Sequence, residues 1–188
     1  MPPPRKPDSA HKLVFTTNSL RNTTISVHDD TIYYEVVTRF WHPHITKILK
    51  LDKEARQMDL VAEIERVPGK EVRVRVGGEH GSWVSQDEVL RWDADARGGS
   101  WTATEGTEYR WKSHNRRLQL VRTDDVQKVP VAKFHPHRRY FFVLRMSTHA
   151  CLEVKTEAAS AMDQLILSYL LVEKRRRDRR LRVRIETS

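Results

Sequence analysis

Residues 158–180 read AASAMDQLILSYLLVEKRRRDRR, an apolar block of helix-forming residues that turns into a dense run of arginines. Ala161, Met162, Leu165, Ile166, Tyr169, Leu170 and Val172 recur at helical spacing, and Leu167 and Leu171 widen the stripe around most of the circumference. A helix apolar on most faces has to be enclosed by a core or a partner. Asp163, Gln164 and Ser168 interrupt the block, which is well short of the ~20 apolar residues that span a bilayer. The stretch therefore predicts a buried helix over residues 158–175.

Outward from that helix the chain reads as short strands and turns. Leu13–Thr17, Thr23–His28 and Ile32–Arg39 come first, with Asp29-Asp30 as a hairpin turn between the last two. His44–Leu51, Met58–Arg66 and the strictly alternating Glu71–Val76 follow, the last two separated by the turn Val67-Pro68-Gly69-Lys70. Ser82–Trp92 is ambiguous, because Ser85 and Glu88 sit at the spacing of a helix-capping box. Ser100–Thr104 and Glu108–Lys112 flank the hairpin loop Glu105-Gly106-Thr107. Leu118–Arg122, Val129–Phe134, Tyr140–Met146 and Cys151–Lys155 complete a set of about ten to twelve strands, at the spacing of a sandwich or barrel. The domain reading is a flexible proline-rich leader over 1–11, one domain over 12–180 and a basic tail over 181–188, which ends as a strand if Leu181, Val183 and Ile185 alternate with the arginines.

The chain has 188 residues and a formal net charge of +9. Between Lys174 and Arg184, eight cations stand against Asp178, so +7 of that +9 is local and the body is nearly balanced. The lone cysteine, Cys151, excludes an internal disulfide and reads as a small apolar strand residue. The proline-rich N-terminus has no apolar core for a secretion signal, and the expected location is intracellular: cytoplasmic, membrane-peripheral or nuclear.

No nucleophile elbow, phosphate-binding glycine loop or paired-carboxylate motif is present, so a non-enzymatic protein without cofactor is expected. Three constellations remain. The arginine run suits anionic membrane, nucleic acid or simply solvated helix end, and Arg138, Arg139, Arg175, Arg176, Arg177, Arg179 and Arg180 are the candidate anion contacts. Two His-Pro-His turns, His42/His44 and His135/His137, supply imidazoles for a metal only if folding brings them together, and otherwise are polar turn residues. In Tyr109-Arg110-Trp111-Lys112 the rings share one strand face and the cations the other, which is core-in, charge-out alternation.

The ordered series Thr107–Lys112, Leu118–Leu120, Pro130–His135 and Leu165–Arg179 resembles a large uncharacterised family of fungal proteins of unknown function. The resemblance covers roughly residues 100–180. It implies a tubby-like or LURP-one-like fold, mainly β, with a closed antiparallel β-barrel around an apolar C-terminal helix. It carries over no catalytic residue. By analogy with better-known tubby-like proteins it implies a binding module for phosphoinositide or other anionic phospholipid headgroups. The alternatives are a nuclear or nucleic-acid-associated basic protein, or a protein-interaction domain.

Overall fold

The computed structural model describes residues 10–94, 98–115, 117–137 and 148–186. Among them lie thirteen strands: β1 Ala10–Phe15, β2 Thr23–Ser26, β3 Tyr33–Thr38, β4 Ile45–Asp52, β5 Gln57–Glu65, β6 Arg73–Val76, β7 Trp83–Ser85, β8 Arg91–Trp92, β9 Gly99–Thr102, β10 Glu108–His114, β11 Arg117–Arg122, β12 Pro130–His135 and β13 Cys151–Lys155. A single helical turn, α1 (Gln86–Val89), joins β7 to β8, and the long helix α2 (Met162–Glu186) follows the last strand. The strand expected over 140–146, like the leader over 1–9, lies outside the described residues. Ser85 caps α1, taking the Asp87 N–H while Glu88 reaches back to the Ser85 N–H, so the capping box forms as the spacing predicts.

All thirteen strands form one antiparallel sheet in the order β7-β6-β5-β4-β3-β2-β1-β13-β12-β11-β10-β9-β8. The β1–β13 ladder joins the two ends of the strand series in register Ala10↔Lys155 to Val14↔Cys151. The edges are β7 and β8, neighbours in sequence but unpaired with each other. The expected closed barrel is thus corrected to an open sheet with one seam. β7 has three residues and β8 two; each pairs on one side only, β7 with β6 and β8 with β9. A cavity of about 450 Å³ lies in this seam and reaches Leu167 and Ser168 of α2.

Alternation sets the inward face. In β10, Tyr109 and Trp111 are buried while Arg110 is exposed and pairs with Asp93 at 2.8 Å. Cys151 is buried in β13, as its apolar reading predicts. From Leu165 to Glu173 every residue of α2 is buried, and nine residues make two and a half turns, so all sides of the helix are covered. Its contacts span the sheet. Tyr169 lies 5.4 Å from Phe15 of β1, 5.0 Å from Phe134 of β12 and 6.0 Å from Trp111 of β10 between ring centroids. Tyr34 of β3 donates its hydroxyl to Asp163 in the first helical turn, and Lys50 meets the same carboxylate at 3.0 Å. Burial, and then this bond, push the Tyr34 hydroxyl pKa up. The helix is enclosed, as its apolar circumference requires.

One buried polar pair in this core is matched across helix and sheet, while the buried Trp101 Nε1 has no hydrogen-bond partner among the described residues. Trp111 Nε1 donates to Ser168 Oγ at 2.9 Å, and that hydroxyl donates to the Leu165 carbonyl at 2.9 Å. Ser168→Ala removes the acceptor of a fully buried indole N–H. It should cost about 1–3 kcal/mol, measurable as a shift in the urea midpoint at unchanged slope. A shift under a few tenths of a kcal/mol would mean the indole finds another acceptor.

The helix begins and ends later than expected. Residues Thr156–Ala158 form a 3-10 turn, and α2 then runs through the arginines to Glu186. The strand expected at 181–185 is helix instead. Arginine is a good helix former, and Glu173 with Arg176 and Arg177, and Lys174 with Asp178, form pairs at helical spacing. No described helix is long and apolar enough to cross a membrane.

Candidate functional site

Antiparallel order sends the 16–22, 39–44 and 66–72 connections and α1 to one end of the sheet, where the basic half of α2 emerges. Hydrogen bonds tie these pieces together. Arg177 donates to the Asn18 carbonyl at 2.6 Å and to Asn18 Oδ1 at 3.0 Å. The Arg66 N–H donates to the His44 carbonyl at 2.8 Å, and the Arg21 guanidinium to the Pro43 carbonyl.

Between the 66–72 connection, α1 and α2 lies a cavity of about 430 Å³. Arg66, Lys174, Arg175 and Arg179 line it, with the Asp178 carboxylate among them and Gln86, Val72 and Leu171 completing the wall. Each cation is placed differently. Asp87 accepts the Trp92 indole N–H at 2.7 Å, and the Arg175 guanidinium rests over the Trp92 ring at 4.1 Å. Lys174 pairs with Asp178 one turn on. Arg66 follows the last residue of β5 and is half-buried, and among the described residues its guanidinium meets only Thr46 Oγ1, at 3.5 Å. Burial pulls the Arg66 pKa down to about 10, opposed by Asp178 at longer range and reinforced by Arg21. A partly desolvated cation without a close carboxylate favours an anion that brings one.

The candidate arginines divide. Arg175 and Arg179 face this cavity. Arg176 is buried, with Nη1 3.0 Å from Glu173, and burial lowers its pKa against the pull of that carboxylate. Arg177 spends its charge on Glu173 at 3.0 Å as well as on Asn18. Arg180 is exposed beside a separate cavity of about 510 Å³ with Phe134, Pro136, Glu173 and Arg176. Arg138 and Arg139 lie outside the described residues. Arg66 and Gln86 are the additions that no sequence spacing flagged, and Lys174, the first cation of the basic run, joins the candidate contacts.

The two His-Pro-His turns stay apart. His42 and His44 lie exposed before β4, while His135 ends β12, with four strands between in the sheet order. His135 sits 3.2 Å from Glu153, and His137 lies 6.3 Å from His149 between ring centroids. No group of three or more metal-ligating side chains occurs among the described residues.

The opposite end of the sheet has the reverse charge. A cavity of about 790 Å³ beside the start of α2 carries Asp52, Glu54, Asp59 and Asp163 against Lys50 and Lys53.

Neither the curated proteins nor the solved structures contain a match to this chain. Residues 18–178 do match a family profile, described as Family of unknown function (DUF6593). That span holds Arg66, Trp92, Lys174 and Arg175 and stops just short of Arg179. The chain belongs to this family of unknown function, DUF6593.

Proposed function

We propose that the protein is a non-enzymatic binding module for phosphate-bearing anions displayed on a membrane, phosphoinositide headgroups in particular, and that the headgroup enters the Arg66 cavity. In this reading the architecture is a tubby-like barrel whose seam is left unpaired. The observation that carries the reading is the Arg66 guanidinium, half-buried and without a carboxylate in ion-pair contact among the described residues, lining a cavity that holds three further cations and Asp178. The reversed charge of the opposite end orients the molecule, basic end first, toward an anionic surface.

Calorimetric titration of the full chain with inositol 1,4,5-trisphosphate at near-physiological salt tests the pocket. Saturable one-to-one binding is expected. Competition between phosphatidylinositol-bisphosphate vesicles and a single-stranded oligonucleotide then separates lipid from nucleic acid. An oligonucleotide that displaces the vesicles, with no binding of the free headgroup, would replace this reading with the nucleic-acid one.

A further inference from the structure

We infer that the loop over residues 39–44 is a membrane-insertion tip, with Phe40 and Trp41 entering the bilayer interface beside the headgroup bound at Arg66; this rests on the reading just given. Phe40 is 93% and Trp41 67% exposed, adjacent in sequence, at the turn between β3 and β4. Single exposed apolar residues are ordinary, but two large neighbouring rings at a loop tip leave a sizeable apolar area in water.

The tip is rigid in its hydrogen bonding. The His42 N–H donates to the Arg39 carbonyl at 3.1 Å and the Ile45 N–H to the His42 carbonyl at 3.1 Å. The Arg21 guanidinium holds the Pro43 carbonyl, and Arg39 lies 5.7 Å from the Trp41 ring centroid. A turn braced this way holds its rings outward instead of folding them onto the sheet. Its base is also the base of the pocket, since Arg66 donates its N–H to His44 and reaches Thr46 with its guanidinium. Exposed rings and pocket cations therefore lie at the same end of the sheet. Tryptophan favours the headgroup level of a bilayer, and arginine beside it meets the phosphates. A lipid surface answers both features at once.

The test uses the full chain and the double variant Phe40→Ser/Trp41→Ser. Two probes are titrated: inositol 1,4,5-trisphosphate free in solution, and phosphatidylcholine vesicles carrying a few per cent of phosphatidylinositol bisphosphate. The variant should bind the free headgroup as the wild type does and lose roughly 100-fold in vesicle affinity, about tenfold per ring. Equal vesicle affinity in variant and wild type would overturn the insertion tip while leaving the pocket standing. Loss of free-headgroup binding as well would make the loop part of the pocket wall and also overturn it. Failure of the wild type to bind either probe would remove the pocket and the tip together.

Discussion

Leu170→Ala should lower the free energy of unfolding by about 2–5 kcal/mol, read from urea or thermal unfolding of the purified protein. Leu170 is fully buried, and it lies in the stretch of α2 where no face is left to solvent. Deleting its side chain opens a void between helix and sheet that neither can fill without moving. The helix is held by strands on several sides, through Phe15, Tyr34, Trp111 and Phe134. Collapse toward one side would pull it from another, which favours the upper part of the range. Leu165→Ala, equally buried, should behave alike. An unchanged melting temperature in either variant would show that the helix is not the centre of the core.

Arg66→Gln should cut affinity for a phosphoinositide headgroup by about 10- to 100-fold, the worth of one charge-assisted hydrogen bond in a partly desolvated site. The same change should leave the melting temperature equal or higher. Burial lowers the folded-state pKa of this base to about 10, below its ordinary value, so the fold favours the charged form less than the unfolded chain does. That cost is present at every pH below about 10 and fades as pH rises from there toward the ordinary guanidinium value. A neutral amide in place of the Arg66 guanidinium would remove it at neutral pH. Loss of binding with stability retained or gained is the signature of a residue kept for a ligand. A marked fall in stability would instead place Arg66 among the structural groups of the sheet end.

Glu173 and Arg176 should show the opposite behaviour. Removing Arg176 leaves the buried Glu173 carboxylate with Arg177 as its one ion-pair partner among the described residues. Arg176→Ala is expected to destabilise by about 3–5 kcal/mol, the cost of breaking a buried pair, with little change in headgroup affinity. Denaturant unfolding beside headgroup titration checks both. For the same reason, a chain ending at Glu173 would lose both partners of that carboxylate as well as the basic run, and point variants report on binding more cleanly than truncation.

The enclosed helix was legible because Leu165–Val172 leaves almost no polar face, and a helix cannot bury such a surface on one side. Strand alternation at Tyr109–Lys112 was legible for the same reason of period. The seam was not. Ser82–Trp92 holds two very short strands around one turn, and whether they pair depends on register across the sheet, which no local pattern encodes. The arginine run misled in part, because charge in a sequence suggests water. Arg176 and Arg177 are instead drawn inward by Glu173, an acid whose partnership depends on the helix continuing past it. Arg66 carried no signal, standing just before a plain Val-Pro-Gly turn. Its role depends on which strand end meets the helix exit.

The order of synthesis follows from where α2 sits in the chain. All thirteen described strands precede the helix that fills them, so the ribosome delivers a wall before it delivers the contents. At ~5–20 residues per second, the 25 residues of α2 take about one to five seconds to emerge. Through that interval Leu13, Ile25, Ile48 and Leu120 have no helix to pack on, and the strands carry unshielded inner faces. A nascent chain of this protein should therefore call on holding chaperones until α2 arrives.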